Sequence, residues 1–377
     1  MTSHFSIYGR SFLVGICLFS NLISQYNGDD IIRKGVDAFY NYNYDLSNEI
    51  LDKAIFQFPE HPSVHLVWVA SQWRYDESRL PIETIYDNFE NNLSKAERSY
   101  DSLMVENPND LNYQLYYGSS LGLKARIYLG QKKWLSTLYS AYSGFRVIQN
   151  VHLSDSSIID SYLPIGIVEY YTGMGNIFVR TAAEVLGITP SKKEGLKKME
   201  KVANEGQWAW MEAMSVLSYI YQFFDIDQIK GLRYSKIIAE KYPNNFDFQI
   251  HFTESLLQNN QLEKARYRLE SHNDNLQFLT KNYQKRYRSY VDYLWAHYFY
   301  LSGKNGMSLN YVENSIKNYS AELDVWLANA YLLKGKLLDI SNKRYEAKLA
   351  YRKCLSTNNQ TQANNLAKLY LEQPFKK

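Results

Sequence analysis

The sequence predicts an all-α protein in which antiparallel helix pairs stack into an α-α superhelix. Strand patterns are nearly absent, because no run of valine, isoleucine and threonine alternates between turn dipeptides. Two helix-patterned segments repeat the same positions 34 residues apart: Gly231, Ser235 and Ile238 in the first, and Ala265, Leu269 and His272 in the second. This period is typical of a two-helix unit that buries its apolar face only by stacking on its neighbours.

A recurring seam supports the same fold. In it a small residue is followed by larger residues at offsets of four and three, which lie on one stripe of a helix. Pro59, Pro108 and Pro243 each come five residues after such a seam and predict the end of the helix, since proline lacks the N–H group and its ring clashes with the preceding turn. The seams are Ser47, Leu51 and Ala54; Ala96, Tyr100 and Leu103; Ala141, Phe145 and Ile148; and Ala347, Tyr351 and Cys354.

The first 24 residues have the pattern of a secretory signal peptide. A short segment with a single arginine precedes residues 11–23, which are uncharged and mostly apolar. That stretch is shorter than the roughly 20 residues that span a bilayer as a helix. We therefore expect export to the periplasm or cell envelope, with cleavage after Ser24. Two alternatives stay open: the segment is retained as a membrane anchor, or it packs on the first helix pair.

Composition divides the rest of the chain into three stretches. Residues 25–150 and 227–377 carry the regular repeat pattern, whereas residues 151–226 do not. Only four charged residues occur between 158 and 188, and glycines stand at 166, 173, 175 and 187. Low charge and small residues predict a helix pair that is enclosed on most sides, with close backbone contacts at the glycines.

Short motifs in the middle stretch resemble those of a known family. They read YLPIG at 162–166, YY at 170–171, GMG at 173–175 and KEGLKKM at 193–199. These motifs resemble divergent tetratricopeptide-repeat proteins related to the inclusion-body-clearance and outer-membrane-associated group. The seams and proline turns resemble tetratricopeptide repeats more generally, over nearly everything after the leader. The resemblance implies a binding or scaffolding role without intrinsic chemistry.

The balance of charge argues against a nucleic-acid partner. Lysine and arginine number 42 against 39 acidic residues, so no strong positive field is expected. The best nucleic-acid candidate is the segment KNYQKRYRSY at 281–290, where cations and tyrosines alternate. Its tyrosines, Tyr283, Tyr287 and Tyr290, recur at helical spacing, which favours an inward-facing stripe. We predict no nucleic-acid binding.

Signatures of enzymes, cofactors and metals are weak. His61 and His65 stand four apart, but Pro62 lies between them and no glutamate follows in the zincin manner, so a turn explains them better. The GMG segment lacks the third glycine of a dinucleotide loop. Cys354 lies on a helix seam and is expected to be a small buried side chain. We predict no catalytic, cofactor-binding or metal-binding residues; an enzyme with an unrecognised site is the third alternative.

Tyrosine, with 34 copies, supplies the candidate binding residues. Neighbours on a helix diverge by about 100°, so the pairs Tyr116-Tyr117 and Tyr170-Tyr171 cannot both point inward, and one of each should line a surface. Asn176 and Arg180 follow in the same segment. This stripe would grip an extended peptide, with asparagine bonding its backbone and arginine pairing with a carboxylate. The alternative is that Arg180 pairs with Glu184, four residues later.

The combined prediction is an exported tetratricopeptide-like scaffold that binds a protein or peptide on its concave face and performs no catalysis. The alternative is a membrane-associated scaffold whose leader is retained and whose low-charge middle helices meet lipid.

Overall fold

The computed structural model describes residues 26–131, 133–321 and 323–376. Within these ranges the regular elements are eighteen α-helices and one short 3-10 helix, which confirms the predicted all-α class. The predicted leader, residues 1–24, lies outside the described residues. In the same ranges no helix is both long enough and apolar enough to cross a bilayer.

The helices of the first half are α1 (Asp29–Tyr40), α2 (Tyr44–Gln57), α3 (Val64–Arg79), α4 (Ile82–Glu106), α5 (Leu111–Gly130), α6 (Trp134–Ser154), the 3-10 helix (Ile159–Ser161), α7 (Tyr162–Met174) and α8 (Ile177–Val185). Those of the second half are α9 (Lys192–Glu205), α10 (Trp210–Phe223), α11 (Gln228–Lys241), α12 (Phe246–Gln258), α13 (Leu262–Leu276), α14 (Lys281–Leu301), α15 (Asn305–Lys317), α16 (Val325–Ile340), α17 (Arg344–Ser356) and α18 (Gln362–Glu372).

The helices pack as antiparallel pairs joined by short turns, except that α8 lies between the paired helices α7 and α9. The first helices of the pairs are α1, α3, α5, α7, α10, α12, α14 and α16, and the second helices are α2, α4, α6, α9, α11, α13, α15 and α17. Each pair also contacts the next, and α18 covers the last pair. The chain is therefore the α-α superhelix that the sequence predicts.

Polar caps and prolines set the helix limits. Ser191, Asp227 and Asn245 accept hydrogen bonds from backbone N–H groups three residues later, and so satisfy free donors at the starts of α9, α11 and α12. Helices α2, α4 and α11 end two residues before Pro59 and the equivalent prolines 108 and 243, which confirms the predicted stops.

The predicted seams lie in the second helices. Ser47, Leu51 and Ala54 of α2 are fully buried, as are Ala347, Tyr351 and Cys354 of α17. All six positions of the 34-residue echo are buried in α11 and α13. Cys354 is the small buried side chain expected from its seam position.

One seam residue was assigned wrongly. Ala141 of α6 is exposed, and Gly144 takes its place in the contact with α5. A Cβ atom on Gly144 would lie 2.6 Å from the Gly118 carbonyl oxygen, closer than such atoms approach. The backbones of α5 and α6 therefore touch, which only glycine permits.

Of the four glycine contacts predicted in the middle stretch, those of Gly166 and Gly173 are close contacts with another segment's backbone, and the predicted enclosure is not complete. A Cβ atom on Gly166 of α7 would lie 2.8 Å from the Gly195 carbonyl oxygen of α9, which confirms the close approach there. Helix α8 is different, because Phe178 and Val185 are 81% and 82% exposed. The division at 150 and 226 stays a prediction. One buried apolar cluster joins α7 to the helices α9 to α16, across the predicted boundary at 226.

The superhelix closes on itself. Tyr42 and Tyr44, at the α1–α2 turn, reach α14: the Tyr42 and Tyr287 hydroxyl oxygens lie 2.8 Å apart, and those of Tyr44 and Tyr283 lie 3.0 Å apart. Helix α3 also packs against α14. The first repeats thus contact the seventh pair, and the first helices of the pairs enclose a lumen.

Candidate functional site

The lumen contains a cavity of about 370 Å³. Its walls come from α1, α3, α5, α10 and α12, which are all first helices of their pairs, and from the α1–α2 turn. On α10 the lining residues Glu212, Ser215 and Val216 follow helical spacing, as do Ala70, Trp73 and Arg74 on α3. The cavity is therefore the concave surface of the superhelix.

Aromatic rings form much of the cavity wall. The rings of Tyr40 and Phe248 are stacked 6.4 Å apart, and those of Tyr42 and Tyr44 lie 5.4 Å apart. The six aromatic lining residues are Phe39, Tyr40, Tyr42, Tyr44, Trp73 and Phe248. A wall of this kind offers large contact area at low entropy cost.

Hydrogen bonds across the closure fix this wall. Asn245 Nδ2 donates to the Tyr40 carbonyl oxygen at 2.7 Å, and the Tyr242 hydroxyl donates to Asp37 Oδ1 at 2.6 Å. These bonds join the end of α1 to the turn between α11 and α12. The aromatic groups from both ends of the superhelical turn are thereby held before any ligand arrives.

A chain of charges lies beside the cavity. Arg74, on the wall, pairs with Glu77, and Glu77 Oε1 accepts a hydrogen bond from Arg286 Nη2 at 2.8 Å. Burial alone would raise the pKa of Glu77, but Arg74 and Arg286 lower it to about 2. Glu77 is therefore ionised and is shared by the two arginines.

Two further carboxylates line the cavity. Solvent reaches Glu212 inside the lumen, yet protein surrounds it on most sides, and this partial desolvation raises its pKa to about 7. Asp247 is half-buried and lies 3.9 Å from His251, whose pKa is lowered chiefly by burial. Among the described residues neither carboxylate is paired with a lysine or arginine.

Tyr170 and Tyr171 divide as predicted between core and surface. Tyr170 is fully buried, and its hydroxyl donates to Asp225 Oδ2 at 3.0 Å. Tyr171 is 42% exposed and contacts Phe224, which contacts Tyr219. Tyr219 continues the stripe of α10 that lines the cavity, so Tyr171 borders the same inner surface.

The expected stripe does not continue to Asn176 and Arg180. Helix α7 ends at Met174, and Asn176 caps the separate helix α8 by accepting a hydrogen bond from the Val179 N–H group at 3.1 Å. Arg180 is exposed on α8, and the described contacts include no ion pair between it and Glu184. The six predicted residues are therefore not brought together in one place.

Tyr116 and Tyr117 are both half-buried, so neither ring is fully enclosed in the core. Tyr116 lines a larger cavity of about 750 Å³, on the side of the superhelix where the turns after α2, α4, α6 and α9 meet. Carboxylates including Asp155 and Glu205 border it. In the described residues no group of histidine, cysteine and acidic side chains is arranged to hold a metal ion.

His61 belongs to an arrangement that resembles a catalytic triad. Its Nδ1 accepts a hydrogen bond from the Ser63 N–H group at 3.2 Å, so its Nε2 carries the hydrogen toward Asp29 Oδ1 at 2.6 Å. The Ser63 hydroxyl lies 3.1 Å from Nδ1 but is completely buried. The buried group stabilises the turn, as predicted for His61. His65 likewise bonds the Pro59 carbonyl oxygen at 2.8 Å.

The basic segment at 281–290 forms the start of α14. Tyr283, Tyr287 and Tyr290 are buried there, which confirms the predicted inward stripe. Their rings are therefore not available to stack on bases.

Sequence reasoning missed Trp73, Glu212 and Asp247. Both acids stand in the first turn of a helix, where acidic residues are common because they complement the helix dipole. Both acids belong to first helices of their pairs, and this shared position was the available sequence signal. It distinguishes them from ordinary first-turn acids only when the closure of the superhelix is known.

No family model matches the chain, and no curated protein matches it. Among solved structures it is similar to a tetratricopeptide repeat protein from Parabacteroides merdae, with 13% identity and a TM-score of 0.26, over 91% of this chain and 96% of that one. It is also similar to the apo form of the quorum sensor NprR from B. thuringiensis, with 14% identity and a TM-score of 0.39, over 88% of this chain and 98% of that one. Both likenesses are weak. The tetratricopeptide-like superhelix is evident in this chain's own paired helices, buried seams and proline stops.

Proposed function

We propose that this protein is an exported, non-catalytic scaffold that binds a segment of a partner protein or peptide inside its closed superhelix. The observation that carries this proposal is the lumen cavity, where a preformed aromatic wall stands beside ionisable groups that have no lysine or arginine partner among the described residues. Aromatic anchors with a few polar groups are the usual composition of protein-binding hot spots.

Binding would use a site that is already built. Bonds such as Asn245 to Tyr40 hold the wall from both sides, so little conformational entropy remains to be lost when a segment docks. Tyr171 would extend the contact along the inner surface beyond the cavity.

The absence of catalysis in this proposal is supported by the burial of Ser63 and by the structural role of His61. Export is supported by the pattern of residues 1–24, and N-terminal sequencing of the mature protein tests it. Recovery of the mature chain with its first 24 residues intact would contradict export by cleavage.

Filling the cavity tests the binding proposal. Val216→Phe would place a ring in the lumen, and Val105→Phe makes the same change on the exposed face of α4. Each variant is expressed in the native host cells and crosslinked there, and the crosslinked proteins are identified by mass spectrometry. Circular dichroism checks that each variant is folded. We expect a specific protein to be captured by the wild type and Val105→Phe but not by Val216→Phe. Equal capture by all three would remove the lumen as the binding site.

A second candidate function is association with a membrane surface through α8. The exposed apolar side chains Ile177, Phe178 and Val185 on one short helix favour it, since such patches mark contacts with lipid or with other proteins. Flotation with phospholipid vesicles tests this function. Loss of flotation in Phe178→Glu, but not in Phe56→Glu on the exposed face of α2, would support it.

A further inference from the structure

We propose that the lumen cavity accepts the ammonium or guanidinium group of a lysine or arginine side chain in the bound segment. This inference rests on the proposed function and names the anchor residue that the cavity selects. Three features of the cavity support this inference: its charged side chains, its aromatic rings and its size.

Acidic side chains outnumber basic ones on the cavity wall. The wall carries three ionic side chains, Arg74, Glu212 and Asp247. Arg74 is paired with Glu77, directly beside the wall, and shares it with Arg286. No lysine or arginine in the described residues pairs with Glu212 or Asp247. Lys241, which lies over the Trp210 ring at the start of α10, is 3.7 Å from Asp37 instead. A cationic ligand group would therefore give these two acids the partner that they lack.

The rings of the wall suit the same group. A cation over an aromatic face is attracted by the ring quadrupole, and the attraction grows where solvent is excluded. Tyr40, Tyr42 and Trp73 belong to the wall that holds Glu212 and Asp247. An aromatic wall with two carboxylates binds an organic cation better than an apolar side chain, which would leave both carboxylates desolvated and unpaired.

The size of the cavity suits a side chain better than a lone ion. About 370 Å³ lies in the range of organic-ligand sites, which is roughly 300–1,000 Å³. On α10, Tyr219 follows the lining residue Val216 at helical spacing, and ring contacts through Phe224 link it to Tyr171. The flanking residues of a bound segment therefore have an aromatic surface to follow.

Octapeptide libraries with one fixed central residue test the proposal. The fixed residue is lysine, arginine, norleucine or glutamate, and the immobilised full-length protein is the bait. The variants are Glu212→Gln and Asp247→Asn, with Glu205→Gln as a control acid outside the lumen cavity. We expect the wild type and Glu205→Gln to retain the lysine and arginine libraries about tenfold better than the norleucine library, and the two cavity variants to lose this preference.

The other outcomes separate the two proposals. If the norleucine library is retained as well as the lysine library, and Val216→Phe abolishes both, the lumen binds segments but the cation anchor is wrong. If Glu212→Gln and Asp247→Asn keep the full preference, the cation binds elsewhere and this inference is wrong. If the wild type retains none of the libraries, both the cation anchor and the proposed binding of peptides in the lumen are wrong.

Discussion

Glu77 of α3 and Arg286 of α14 are joined by an ion pair of 2.8 Å between Oε1 and Nη2, across 209 residues of sequence. The pair lies at the closure, where Asn282 Nδ2 also donates to the carbonyl oxygens of Glu77 and Leu80 at 3.2 Å. A stack of helix pairs needs no such contact, because each pair is stabilised by its neighbours. The closure is what turns a concave surface into a lumen.

Replacing Glu77 by glutamine is expected to loosen the closure. Arg74 and Arg286 would lose their shared carboxylate, and leaving partly buried charges unpaired costs about 3 kcal/mol. Hydrogen exchange of the amides in α1 to α3 should accelerate, while exchange in α16 and α17 stays unchanged. Glu49→Gln, which removes an exposed pair with Lys53, is the control and should change nothing measurable. Unchanged exchange in α1 to α3 would mean that the pair does not hold the closure.

The tyrosine pairs should be energetically coupled. In a double-mutant cycle of Tyr44→Phe and Tyr283→Phe, the two changes remove one shared hydrogen bond of 3.0 Å between buried hydroxyls. We expect a coupling energy of about 1 kcal/mol in the free energy of local unfolding of α1 to α3. Strictly additive effects would show that the two hydroxyls do not bond in solution.

Adding one methyl group at two nearby glycines should have opposite effects. Gly144→Ala forces a Cβ atom against the Gly118 carbonyl oxygen and should destabilise the α5–α6 pair by about 1–3 kcal/mol. Gly122→Ala meets no atom within 4 Å and should stabilise α5 by roughly 0.5–1 kcal/mol, because alanine loses less entropy in a helix. Urea unfolding measures both, and equal effects would contradict the close packing of α5 on α6.

His272 should make stability fall in acid. Burial, with a smaller effect of Arg268, lowers its pKa from 6.5 to about 3 in the folded protein. The unfolded chain therefore takes up a proton first as the pH falls below 6.5, and the stability that neutral His272 contributes is lost between pH 6.5 and about 3. Each pH unit in this window costs about 1.4 kcal/mol. His272→Gln should lose less stability between pH 7 and 5 than the wild type in urea unfolding; parallel losses would place the acid sensitivity elsewhere.

The seams could be predicted from sequence because packing within a pair leaves few choices. A small residue such as Ser47 or Ala265 must stand where two helices approach, and larger residues follow at fixed offsets. The split between Tyr170 and Tyr171 likewise follows from helix geometry alone. The exposure of Ala141 shows the limit of the pattern, since Gly144 gives a closer contact than any alanine can.

The closure could not be predicted, because it depends on the summed rotation of all intervening pairs. Small differences per pair decide whether Tyr42 meets Tyr287 or passes it. Helices α4, α5 and α6 have 25, 20 and 21 residues. Their length changes the total rotation compared with a stack of pairs of uniform length. The site residues Glu212 and Asp247 depend on the closure, so they were missed with it.

Site-specific photocrosslinking decides whether partners bind in the lumen. A diazirine analogue of leucine is placed at Leu123, on the cavity wall, or at Leu135, on the exposed face of α6. Both substitutions keep the size of the native side chain, so the fold is preserved in each. We predict a discrete protein adduct in cells from position 123 and none from position 135. An adduct from position 135 alone would place the binding surface on the outside of the superhelix and contradict the proposed function.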